Sequence, residues 1–285
     1  MDFDYEWYEE NYSFRLIAPG TWLIETRSQA TPWGCDCYLL EGDTRAVLID
    51  SGMSRANLKL YIEKLELVSK PFAGVINTHS HFDHTGGNGY FGHAYMHPLA
   101  VQNAKIPFDN TSTDGYRMDY EVTCVREGFC LDLGNRVLEI LEIGAHDPSS
   151  IAILDRTAGF LFTGDELETG WINVGSMNPE YQDAETIESH YENMLKLKAY
   201  EDGYRMICPG HHGAPIAKES LEDFLVCDRM ILNGIPGSKD NPRKNGNGGP
   251  CSPMLRVMRH RMAHLCYRED RIFKQKPQHF TISET

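Results

Sequence analysis

Between residues 79 and 84 the chain reads His79-Ser80-His81-Phe82-Asp83-His84, so four side chains able to ligate a metal fall within six residues. They follow the apolar run Val75-Ile76-Asn77-Thr78 and precede Thr85-Gly86-Gly87-Asn88-Gly89, whose glycines let the backbone bend tightly around a site. If the chain stays extended through the motif, His79 and His81 leave one face and can grip one ion. Asp83 and His84 then follow a turn and reach a second. A pair of ions needs more donors than four. Three more stand at strand-like ends beside a glycine: Leu141-Glu142-Ile143-Gly144-Ala145 leads into His146, Phe160-Leu161-Phe162-Thr163-Gly164 into Asp165, and Met206-Ile207-Cys208-Pro209-Gly210 into His211. His212 is an alternative for the last position. A donor set of imidazole and carboxylate without thiolate suits zinc best, with iron or manganese also compatible.

The order H-x-H-x-D-H, then a single His, a single Asp and a final His, resembles the metallo-β-lactamase superfamily over roughly residues 14 to 235. Leu48-Ile49-Asp50-Ser51-Gly52 matches that family's first motif, whose Asp supports the site from behind the ligands. The resemblance implies an α/β (α+β) fold, a four-layer αβ/βα sandwich with the site at one edge between two sheets. It implies a binuclear centre in which His79, His81 and His146 hold one divalent ion, Asp83, His84 and His211 hold the other, and Asp165 bridges them. The implied chemistry is hydrolysis by an activated water that Asp83 orients, and His81 in place of a Glu sets the chain apart from di-iron redox relatives.

Within the superfamily the glyoxalase II-like branch is the nearest resemblance, with a small ester, thioester or lactone as substrate. Phosphodiester cleavage, or a mononuclear iron sulfur-dioxygenase on the same fold, are the alternatives. Two features depart from the pattern. The residues after His146 read Asp147-Pro148-Ser149-Ser150, where many relatives carry Thr-Pro-Gly-Ser, and no counterpart of the glutathione-binding C-terminal helices is recognisable.

Strand-like runs that could position these donors occur at residues 14–18, 21–26, 37–40, 45–50 and 73–78, and again at 136–143, 150–154, 159–163 and 205–208. A helix capped by Ser54 and ended at Lys70-Pro71 would join two of the first group as a parallel pair, and further helices fit 183–200 and 216–232. Residues 1–235 therefore read as the catalytic domain. Residues 236–285 read as a Gly/Pro-rich loop and a basic extension packed on it, in which 254–273 suits either a helix or a hairpin.

The formal charge of -14 disfavours a nucleic-acid partner and leaves a small molecule, which could be anionic, as the expected one. Ten Lys/Arg against four Asp/Glu from residue 238 onward make the tail either a solvated basic edge or an anion-recognising lid. Apolar runs are strand-sized, with no span of the roughly 20 residues a bilayer needs, and the acidic, aromatic start lacks the pattern of a secretory signal. A cytoplasmic setting is the expectation. Cys35, Cys37 and Cys208 read as buried apolar residues, and His93, His97 and His190 as structural or exposed. Trp33 could line the substrate pocket, and Tyr181 or Tyr191 could stand beside the metals, or each could simply pack.

Overall fold

The computed structural model describes residues 4–26, 34–53, 57–106, 117–175, 185–239 and 253–274. After helix α1 (Tyr5–Asn11), strands β1 (Tyr12–Ala18), β2 (Thr21–Thr26), β3 (Asp36–Glu41) and β4 (Ala46–Ile49) form an antiparallel meander. Helix α2 (Leu58–Lys64) then carries the chain back, so that β5 (Phe72–Ile76) lies parallel to β4, as the strand-helix-strand pattern requires. Two four-residue helices come next, α3 (Phe82–Thr85), which carries Asp83 and His84 of the ligand motif, and α4 (Asn88–Phe91). Strands β6 (His93–Met96) and β7 (Glu121–Cys124) complete a seven-stranded sheet in sequence order.

The second sheet contains β8 (Cys130–Asp132), β9 (Val137–Glu142), β10 (Ile151–Asp155) and β11 (Phe160–Gly164). The chain then forms β12 (Trp171–Asn173), which belongs elsewhere, and helix α5 (Ile187–Ala199), before β13 (Met206–Pro209) and β14 (Ile216–Ala217) close this sheet in the order β14-β13-β11-β10-β9-β8. Helix α6 (Ser220–Leu232) follows, and the tail forms β15 (Leu255–His260) and β16 (Ala263–Arg268). These pair antiparallel with each other, while β12 joins β16 in parallel, giving a third sheet in the order β12-β16-β15.

Alternation along the strands produces the layers. Leu23, Leu40, Val47 and Ile49 of the first sheet meet Leu138, Ile140, Ile153 and Phe162 of the second in one core. The outer face of the first sheet covers Leu58 and Ile62 of α2, and that of the second packs on α5, α6 and the third sheet through Leu154, Leu161, Met194, Phe224 and Leu265. This is the αβ/βα sandwich expected from the sequence. Arg136 ties the two main sheets: its buried guanidinium donates to Asp155 of β10 and to the carbonyls of Gly20 and Glu41 at the other sheet's turns.

Several boundaries differ from the sequence reading. Asn57 caps α2 by accepting the Leu60 N–H, and the helix ends well before Pro71, where Glu66 takes a positive φ; Ser54 lies outside the described residues. Ile216 and Ala217 extend a sheet edge, so the last long helix starts at Ser220. Residues 254–273 form a hairpin, because Val257 and Cys266 face one side while Met258 and Leu265 face the core. No helix among the described residues is long and apolar enough to cross a membrane.

Candidate metal centre

The seven predicted donors meet at one end of the two main sheets. Strand β5 ends at Ile76, and residues 78–80 bend rather than extend, so His79 and His81 do not share a strand face as expected. They converge because the bend brings the Nε2 of His79 to 2.9 Å from the Nδ1 of His81. His146, in the turn after β9, places its Nε2 3.2 Å from the same His81 nitrogen. On α3, His84 faces His211 with 3.2 Å between their Nε2 atoms, and Asp83 lies 3.4 Å from His211. Asp165 stands between the two groups. Its Oδ1 is 3.2 Å from His84 and 3.4 Å from His211, while its Oδ2 is 3.9 Å from His79 and 3.7 Å from His146.

The partners on the far side of each ring decide what the inward nitrogens can do. The Nδ1 of His84 donates to Asp50, that of His211 to the carbonyl of Gly34, and that of His146 to the carbonyl of Asn173. Thr78 donates its hydroxyl to Asp50 and accepts from His79 Nδ1, and the Nε2 of His81 points toward Asp147 at 3.8 Å. The rings of His79, His84, His146 and His211 thus hold their protons outward, and their lone pairs point inward at one another and at two carboxylates. Lone pairs 3.2 Å apart repel unless a cation lies between them. The spacings match the roughly 3.3 Å edge of a tetrahedron with metal–nitrogen bonds of about 2.0–2.1 Å.

The carboxylates around the rings make the pocket favourable for positive charge. Burial works against a proton on His84, yet Asp165, Asp50 and Asp83 together raise its pKa well above the usual imidazole value. Burial likewise opposes the Asp165 carboxylate, but His211 and His84 hold its pKa well below the ordinary range. His79, farther from those carboxylates, is held neutral by burial and by His84. Oδ1 of Asp165 is buried and accepts no hydrogen bond among the described residues. His79, His81, His146 and Asp165 form one group able to hold an ion, and Asp83, His84 and His211 a second. Gly210 makes the approach possible, since a Cβ there would fall 2.5 Å from Asp165 Oδ1 and 2.8 Å from the His84 ring.

His211 rather than His212 joins the cluster. His212 takes a positive φ, is half exposed and turns toward Glu168 at 3.8 Å. The departure at Asp147 acquires a role, because Asp147 accepts from Ser80 and Ser149 and stands behind His81. Sequence reading missed Glu166, whose fully buried carboxylate accepts the backbone N–H of His146 at 2.8 Å; burial pushes its pKa up to about 7. A second acidic residue directly after Asp165, just past the apolar run Phe160-Leu161-Phe162, was the available signal. His190 is structural, one of the two readings the sequence allowed: it is fully buried, bonded to Asp228, and donates to the carbonyl of Glu166.

His93 bonds the Ala73 carbonyl and Thr123, and His97 caps a short helix beside Glu142, so both are structural. Cys208 is buried in the inter-sheet core and Cys35 with Cys37 behind the first sheet. Tyr191 packs on α5 against the core and reaches Arg229 of α6. Trp33 and Tyr181 lie outside the described residues.

Residues 30–211 match the sequence profile of the Metallo-beta-lactamase superfamily. A hydroxyacylglutathione hydrolase of Hydrogenovibrio crunogenus is 30% identical over 233 residues, covering 82% of this chain and 72% of that protein. An acyl-coenzyme A thioesterase, MBLAC2, of Gallus gallus is 27% identical over 188 residues, covering 56% and 68%. Among solved structures, a metallo-beta-lactamase from Erythrobacter litoralis superposes with a TM-score of 0.59 at 18% identity, covering 77% of this chain and 97% of that one. A metallo-beta-lactamase family protein from Thermus thermophilus gives 0.57 at 22%, covering 80% and 86%.

Proposed function

Because the chain belongs to the metallo-beta-lactamase superfamily of metal-dependent hydrolases, we propose that it is a thioesterase that uses two divalent ions, zinc by preference. The observation that carries this reading is the placement of Asp165, one carboxylate oxygen against each group of imidazoles. His79, His81 and His146 would hold one ion, Asp83, His84 and His211 the other, with Asp165 between. The names of the two curated relatives denote release of an acyl group from a thiol carrier, coenzyme A in one and glutathione in the other.

When bound, the ions supply an acidified water and a Lewis acid for the acyl oxygen. The chain's own residues do the rest. Asp83 offers a carboxylate oxygen at the floor of the site, 3.4 Å from His211, and orients the attacking water through it. Asp50, Thr78 and the carbonyls of Gly34 and Asn173 keep the rings in the tautomer that presents a lone pair inward. Burial of His79 and His84 keeps bulk water from the back of the site. A cytoplasmic setting belongs to the same reading, supported by seven free cysteines among the described residues, including Cys35 and Cys37, whose sulfurs lie 3.5 Å apart in a hydrogen bond and not in a disulfide.

Metal analysis joined to a screen of thioesters, lactones, β-lactams and phosphodiesters, repeated with Asp165→Ala, tests the proposal. Two zinc per chain, thioester turnover, and loss of both in the variant are expected. One iron per chain with oxygen uptake, or turnover that survives the substitution, overturns it.

A further inference from the structure

Strand β12 runs along the rim of the metal centre. Its outer edge faces the site: the Asn173 carbonyl accepts from His146, and the Gly175 N–H donates to Ala145 at 2.7 Å. Just before the strand, Gly170 lies against the ring of His212, where a Cβ would fall 1.8 Å from Cδ2. The strand therefore spans the mouth from the His211–His212 side to the His146 side. Alternation turns Ile172 into the core and sets Trp171 and Asn173 on the other face.

The C-terminal hairpin extends that face. Trp171 pairs across β16 with His264, and His264 pairs with Arg259 of β15. The Arg259 guanidinium lies 4.8 Å from the indole centroid, and His264 meets the indole edge-on at 5.7 Å. Arg259 is exposed and pairs with no carboxylate among the described residues, although the chain carries a net charge of -14. Its hairpin neighbours are neutralised: Arg256 by Glu269, Arg261 by Asp223 and Arg268 by Asp270. On the same face Asn173 Oδ1 is buried and accepts no hydrogen bond among the described residues. An unused acceptor, an aromatic surface and an unpaired cation thus lie in a row leading away from His146. Strand geometry places the cation roughly 7–12 Å beyond Asn173.

We propose that this strip, Asn173, Trp171 and Arg259, binds the thiol carrier of the substrate, and that the carrier is long and phosphate-bearing, of the coenzyme A type. Asn173 Oδ1 accepts an amide N–H of the carrier arm, the indole covers the arm, and Arg259 takes the phosphate with its planar fork of donors. The assignment rests on the thioesterase reading and adds a specificity to it. An anionic end so far from the acyl group suits an extended arm better than the compact peptide of glutathione.

The test uses the metal-loaded full chain and one acyl group on three carriers: coenzyme A, glutathione and uncharged N-acetylcysteamine. Arg259→Ala is expected to lower the preference for the coenzyme A thioester over the N-acetylcysteamine thioester about tenfold, through KM, as loss of a partly exposed charge-assisted contact should. Arg259→Lys should retain part of that preference. A preference unchanged in Arg259→Ala overturns the assignment, and so does a loss that is equally large on the glutathione thioester. If the wild type turns over no thioester, the thioesterase reading falls on its own. Calorimetric binding of free coenzyme A then decides the subsite: weaker binding by Arg259→Ala supports it, and equal binding refutes it.

Discussion

His84 and Asp50 meet in a contact closed to solvent, with Nδ1 2.9 Å from Oδ2 and neither residue more than 1% exposed. Asp50 also accepts the backbone N–H and the hydroxyl of Thr78, so one carboxylate holds a ring and the bend that carries His79. Asp50→Ala removes the group that fixes the His84 tautomer, and metal affinity should fall by about 10–100-fold. Competitive chelator titration measures this; unchanged affinity would show that Asp50 serves folding alone.

Gly210 has no room for a side chain. In Gly210→Ala the new Cβ must displace Asp165 or His84, and about 100-fold lower kcat/KM is expected from misplaced ligands. Anomalous scattering or metal analysis on the variant should show one ion depleted. Full occupancy together with full activity would contradict the crowding.

The buried pair His190–Asp228 gives stability a pH dependence. Burial opposes the imidazolium, but Asp228 outweighs it and raises the His190 pKa to about 9, above the 6.5 of an unfolded histidine. Burial also pushes the Asp228 carboxyl upward against the pull of His190. With Nδ1 2.9–3.0 Å from both carboxylate oxygens, the charged pair is the state we assign. The stability that His190 contributes is therefore complete below about pH 6.5 and lost as pH rises through about 9. Urea denaturation at about pH 6.5 and about pH 9.5 should show that loss in the wild type and a smaller one in His190→Gln.

Leu265 of the C-terminal hairpin is fully buried beside Ile172, Leu225 and Tyr267. If residues after 236 fold as one unit with the catalytic layers, Leu265→Ala should cost about 2–4 kcal/mol of global stability in a single transition. A separate early transition in denaturant would make the hairpin an independent element.

Much of the site was legible because its information is local. His79, His81, Asp83 and His84 stand within six residues, and His146, Asp165 and His211 each follow an apolar run that had to be a buried strand end. The same logic located β9, β10, β11 and β13 to within a residue or two, since strand period and turn residues act over short stretches. Short β8 and β12 escaped it, because three residues carry too little pattern to stand out.

The sequence by itself pointed to six of the side chains that meet at the metal centre, His79, His81, Asp83, His84, His146 and Asp165, and to the layered fold that brings them there. Only the tertiary structure decided between His211 and His212, whose neighbours in sequence are the same. The choice follows from a positive φ at His212 and from the contact of His211 with Gly34, 177 positions away. It also made the tail a hairpin, because Met258 and Leu265 gain burial only where α6 and Ile172 complete the pocket. Pairing between distant segments depends on which faces remain to be covered, and no local pattern encodes that.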